Sequence, residues 1–131
     1  MAIQHGAATR TAAAQAIADE LAGGTIKLFS GAVPANCAAA DPAGELASGS
    51  LPSPCLTAAA GVLSLTGTWS FTGSAAGNAA SFRLYSAGAV CEAQGDVTAT
   101  GGGGVMEISD VAVTIGRAGS VTAYSETVGG A

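Results

Sequence analysis

The sequence predicts a mainly β protein: a single antiparallel β-sandwich or barrel-like module with one N-terminal α-helix. Three observations carry this reading. An Ala-rich stretch near the N-terminus has helical composition and stops at the pair Gly23-Gly24. From residue 25 the apolar spacing drops from about four residues to two. Short alternating segments then recur at roughly 8–12-residue spacing, separated by Gly- and Ser-rich turns. With 131 residues the chain has room for one domain. It divides into an arm and helix over residues 1–24 and a β module over 25–131, with a long irregular loop at 35–59.

The elements follow in order. Residues 1–6 read as an arm, and residues 7–22 (AATRTAAAQAIADELA) as a helix. Ala13, Ile17 and Leu21 repeat every four residues and form one narrow apolar stripe, with Arg10, Asp19 and Glu20 off it. Such a helix suits close packing, on the sheet or on a partner. Thr25–Ser30 is a strand with Ile26 and Leu28 on one face. Gly31–Pro34 turns the chain into the 35–59 loop, where a short strand is expected at Gly44–Ala47. Loops longer than about 12–15 residues are uncommon and are often functional. Strands are then expected at Val62–Leu65, Thr68–Thr72, Ala79–Ser86, Ala89–Gln94, Asp96–Thr100, Val105–Ile108, Val111–Ile115 and Val121–Thr127. Gly101–Gly104 is a hairpin tip, or a place where another backbone approaches closely.

Composition excludes several function classes. Ala, Gly, Ser and Thr supply 75 of the 131 residues, and only 10% are charged, against roughly 25% in an average domain. Four basic residues cannot build the Lys/Arg cluster that displaces counterions from a nucleic acid. No run approaches the ~20 apolar residues of a membrane span. MAIQHGAATR has no basic stretch leading into an apolar core, so no signal peptide is expected. Mean hydropathy is +0.46, and disordered chains combine low hydrophobicity with high charge. Yet large apolar side chains number only 30, so the core is thin and stability gained from oligomerisation or docking is expected.

Candidate chemistry is sparse. Cys37 and Cys55 bracket the long loop, and a disulfide between them would contribute about 3 kcal/mol by chain entropy. The alternative is three free thiols in a reducing cytosol. Cys91, alternating with Val90 and Glu92, reads as a small buried hydrophobe. No CxxC pair supports a zinc site. The single histidine, His5, sits in the arm, and no GxSxG elbow occurs, so no catalytic residue, metal or cofactor is assigned. Gly101–Gly104 lacks the Lys-Ser/Thr and helix of a phosphate loop. Asp96, Glu107 and Asp110 lack the spacing of a calcium loop and read as solvated strand ends. Trp69 and Phe71 share a face and read as core; Tyr85 and Tyr124 are the candidates for a carbohydrate platform.

The order of motifs resembles a known family. An Ala-rich helix with an Arg leads through glycines into G-T-I-K-L-F-S-G-x-x-P-A, Gly24–Ala35. Gly44–Ala47 (GELA), Gly61–Leu63 (GVL), Ala79–Leu84 (ASFRL, after a leading alanine) and Gly95–Thr98 (GDVT) follow, before a final pair of Val/Thr-rich strands. This resembles a family of short β-rich proteins encoded among the virion structural genes of tailed bacteriophages. Typical members carry Trp or Phe before the Arg, matched by Phe82-Arg83, and L-x-I-Y-x-G-x-x-P in the first strand, approached by Leu28–Gly31. The cysteines and the Pro52/Pro54 segment depart from that pattern.

The resemblance implies a virion component assembled in the host cytoplasm, not an enzyme. The leading expectation is a capsid decoration (cement) protein that binds the major capsid protein as a homo-oligomer, a trimer by the usual symmetry of shells. Arg10, Ala13, Ile17 and Leu21 would mark a docking helix, and the Cys37–Cys55 loop would join it in assembly. The alternatives are a neck, tail or fibre-attachment component, or a receptor- or glycan-binding β module. Small side chains suit close interfaces because they cost little entropy on docking. An acidic surface discourages non-specific binding to packaged DNA.

Overall fold

The computed structural model describes residues 4–127; residues 1–3 of the expected arm lie outside the described residues. Among the described residues one helix, α1 (Ala7–Leu21), precedes eleven strands: β1 (Thr25–Phe29), β2 (Glu45–Ser50), β3 (Leu56–Ala59), β4 (Val62–Leu65), β5 (Ser70–Gly73), β6 (Gly77–Asn78), β7 (Ser81–Tyr85), β8 (Cys91–Ala99), β9 (Met106–Ile108), β10 (Ala112–Val113) and β11 (Ala118–Thr127). The architecture is mainly β, with a closed seven-stranded barrel and one helix. Around the barrel the order is β11-β5-β2-β1-β7-β8-β9, and β9 pairs back onto β11. Closure removes the free edges an open sheet would expose. Bulges at Leu28/Phe29, Leu84/Tyr85 and Val121/Ala123 bend the strands that must curve to close it.

The β3–β4 hairpin extends the sheet from β11, through Ser125–Thr127. The helix packs on this hairpin, and Thr11 Oγ1 accepts the Gly61 amide at 3.0 Å. The helix ends where Gly23 takes φ +72°, a left-handed conformation that glycine adopts without penalty.

Several expectations need correction. The short strand expected at Gly44–Ala47 is the longer β2, and β3, which was not expected, also lies within 35–59, leaving 30–44 as the long irregular stretch. Small-residue strands such as ELASGS carry little β propensity, and pairing with β1 and β5 is what holds this one extended. Ala89–Gln94 and Asp96–Thr100 are one strand, β8, continuous through Gly95. Gly101–Gly104 is not a hairpin tip, because β8 and β9 run parallel. Parallel neighbours usually need a crossover of about a dozen residues. Here the chain doubles back through residues 100–105, and a Cβ on Gly102 would fall 2.7 Å from Thr98 Cβ. The closest crowding at this run comes from the Thr98 side chain of the preceding strand, and not from a second backbone.

The core is built from few large side chains. Trp69, Phe82 and Tyr124 form its aromatic centre: the Tyr124 ring lies 5.3 Å from Trp69 and meets Phe82 edge-on at 5.8 Å. Ile26, Leu28, Leu46, Leu63, Leu84, Met106 and Ile108 fill the space around them. Trp69 Nε1 donates to the Cys55 carbonyl at 2.9 Å, so the indole is buried without losing its hydrogen bond.

The helix uses a different stripe from the one the sequence suggested. Ala14, Ala18 and Leu21 are buried, Ile17 is partly buried and Ala13 is exposed. Leu21 belongs to the protein's own core. The set Arg10, Ala13, Ile17 and Leu21 is thus not a common docking face. The sequence stripe failed because an Ala-rich helix has almost no apolar contrast between its sides.

Candidate functional site

Strand β7 reads Ser81-Phe82-Arg83-Leu84-Tyr85, and all five residues are buried. Period two puts Phe82 and Leu84 in the barrel core, and sends Ser81, Arg83 and Tyr85 to the outer wall. An outer wall is normally wet. This one is roofed by the 30–44 segment, a strap whose ends are pinned where Ser30 and Gly31 donate to Gly44 and Ala43 carbonyls at 2.9 and 3.0 Å.

Arg83 organises the strap. It is 2% exposed. Its Nη1 donates to the Ala39 carbonyl and to Asp41 Oδ1, both at 3.0 Å, and its Nη2 to the Asn36 carbonyl at 3.1 Å. Its Nε donates to Gln94 Oε1 at 3.1 Å, and Gln94 Nε2 in turn reaches the Pro34 carbonyl at 2.7 Å. Ser81 Oγ donates to the Gly31 carbonyl at 2.7 Å. The guanidinium fork suits this task, since five fixed donors can bind several acceptors on one loop. A buried charge is tolerated only when paired and hydrogen-bonded, and both conditions are met.

Asp41 completes the network. Tyr85 donates its phenol to Asp41 Oδ1 and Arg83 lies beside it, which together hold the carboxyl below its ordinary value. Burial and the Asp41 carboxylate push the Tyr85 phenol up, so it stays protonated and keeps donating. Lys27 pairs with Glu45 at 3.1 Å and sits 5.4 Å above the Tyr85 ring.

The cysteines correct the sequence reading. Cys37 is bonded to Cys91, not to Cys55, and ties the strap to the start of β8. Cys55 is the free, fully buried thiol, and burial raises its pKa. The expected roles of Cys55 and Cys91 are therefore exchanged. The reason is topological: β8 lies beside β7 on the wall that the strap covers, while Cys55 lies under Trp69 in the core.

The remaining candidates have local duties. Glu107 accepts the Gly101 and Gly103 amides, and Asp96 accepts the Val105 amide, so both staple the glycine crossover. Asp110 accepts the Ala112 amide and pairs with Arg117 at 3.1 Å. Tyr85 and Tyr124 are buried, so neither offers the exposed ring that a sugar platform needs. Arg10 donates to the His5 carbonyl at 3.3 Å. In the sequence Arg83 stands out only through the Phe82-Arg83 pair of the family resemblance, which assigns it no role in holding a loop. The signal that marks it is an Arg inside an otherwise apolar S-F-R-L-Y run, in a chain with four basic residues.

Comparison of the chain with protein-family models, with curated proteins and with solved structures finds no match.

Proposed function

We propose that this protein is a non-enzymatic structural component of a tailed-phage virion, a capsid decoration protein that stabilises the head shell. The observation that carries the reading is the strap. A buried arginine and a disulfide both serve to fix an irregular, Ala-rich loop on a barrel wall. Fixing such a loop gives a preformed contact surface, and preorganisation lowers the entropy cost of docking. The exposed strap residues Ala35, Ala38 and Ala40 allow close backbone approach by a neighbour. The order of motifs from Gly24 to Thr98 supplies the virion setting.

Under this reading the strap face, and not α1, meets the major capsid protein or a second copy of the chain, and the module acts as a homo-oligomer. Three of the four basic side chains are paired with acids in the fold, which leaves an acidic exterior suited to a DNA-filled particle. The test is the copy number of the chain in purified particles, by quantitative mass spectrometry against the major capsid protein. A sizeable fraction of the capsid protein is expected. A handful of copies would move the protein to the neck, tail or fibre apparatus, and absence from particles would end the virion reading.

A further inference from the structure

The strap is held in two chemically independent ways, and the two need not form together. Arg83, Gln94 and Ser81 bind the strap through the carbonyls of Gly31, Pro34, Asn36 and Ala39 and through the Asp41 carboxylate, without involving sulfur. Cys37 lies inside this frame. Asn36 Oδ1 accepts the Ala38 and Ala39 amides at 2.9 and 3.1 Å, which turns the chain around Cys37 and fixes where its side chain leaves the backbone. Cys91 lies on β8, whose register against β7 is set by the sheet. The third thiol cannot compete, because Cys55 is fully buried in the core.

We propose that Cys37 and Cys91 form a redox lock on a strap that is already docked: the pair closes within the folded chain and turns a reversibly held loop into a covalently fixed one. The oxidant is a small-molecule disulfide of the glutathione type. One protein thiolate attacks it, forming a mixed disulfide and releasing one small thiolate. The second protein thiolate attacks the protein sulfur of that mixed disulfide and releases the other. The protein dithiol loses two electrons and two protons, and one small disulfide becomes two small thiols. The reduced chain folds in a reducing compartment with its strap in place, and the lock closes on passage to an oxidising one.

The test uses the full-length chain, reduced with dithiothreitol and then given glutathione disulfide. In the reduced protein the Arg83 Nε–H resonance stays protected from solvent exchange, and strap amides exchange at most about tenfold faster than in the oxidised protein. On oxidation the only disulfide formed joins Cys37 to Cys91 within one chain, with Cys55 unalkylated until denaturant is added. The Arg83→Met variant closes the disulfide at least about tenfold more slowly, because the frame that presents Cys37 is gone. If that variant is unfolded, Asp41→Asn, which removes an exposed member of the same frame, slows closure in the same direction. Random-coil exchange of the strap in the reduced protein would overturn the proposal. So would a Cys55-containing or intermolecular disulfide, or closure in the folded frame variant as fast as in the parent.

Discussion

The barrel is covered in two places, and the two coverings work by opposite physics. The helix α1 is held by Ala14, Ala18 and Leu21, packed into the core, with one side-chain hydrogen bond from Gly61 to Thr11. The strap buries almost no large side chain of its own and is held by an arginine, an aspartate, a glutamine, a serine and a disulfide. A helix satisfies its own backbone, so apolar burial is enough to attach it. An irregular loop brings unpaired carbonyls to the wall, and something must donate to them. Arg83 donates to two of them, and Ser81 and Gln94 to two more. A chain with few large apolar residues can thus still fix a long loop, provided that a buried cation and neighbouring polar side chains donate to its carbonyls.

This difference gives distinct ways to break each covering. Arg83→Ala has the largest expected effect. It strands two strap carbonyls and removes the partner of Asp41, costing about 3 kcal/mol; the value sits at the low end for a buried pair because Asp41 is 44% exposed and can rehydrate. Denaturant titration reads the loss, and exchange mapping should place it in residues 30–44 while α1 keeps its protection. Leu21→Ala comes next, at about 2.5 kcal/mol for a fully buried leucine whose helix can partly settle into the gap. Here the pattern reverses: α1 and the β3–β4 hairpin loosen, and the strap does not.

The third prediction is a pH window. Asp41 has its carboxyl held below the ordinary 3.8, so its contribution is complete above that value and is lost as the pH falls toward and through the folded value. The Tyr85 phenol is raised above the ordinary 10.0, so its contribution is complete below that value and is lost as the pH rises past it. Strap protection, measured relative to intrinsic amide exchange at each pH, should therefore fall below about pH 4 and again above about pH 10, with a plateau between. Asp41→Asn should cost about 1 kcal/mol at neutral pH, reduced by the exposure of the carboxylate, and should flatten the acid limb. A variant with an unchanged acid limb would remove Asp41 from the network.

The smallest effect sharpens the helix side. Ala13→Glu should change stability by less than about 0.5 kcal/mol, because Ala13 is exposed. Ala14→Glu, one position on, should prevent α1 from packing.

The sequence made one covering far more legible than the other. Alanine content and the Gly23-Gly24 stop were enough to locate α1, and period two was enough to find β1, β4, β7 and β11 near their observed bounds. The buried face of α1 was not legible, since Ala13 and Ala14 are chemically the same residue and only tertiary contact separates them. The strap was hidden for a related reason. Its anchors are 42 to 60 residues from the groups they hold, as in Arg83 to Asp41 and Gln94 to Pro34. No local period encodes such pairs. The disulfide was misread because Cys37 and Cys55 are neighbours in sequence, while the barrel makes Cys91 the neighbour in space. The parallel β8–β9 pair was missed because a four-glycine run is a turn signal that does not specify the direction of the strand after it.

The strap lies against β8, where Cys37 meets Cys91. Peptide mapping of the non-reduced protein, with free thiols alkylated in denaturant at mildly acid pH before digestion, tests this in one step. The structure predicts a single cross-linked peptide pair joining Cys37 to Cys91 within one chain, with Cys55 as a free thiol that reacts only after unfolding. A Cys37–Cys55 link would lift the strap from the β7–β8 wall and leave Arg83 without its acceptors, and that result would contradict the account.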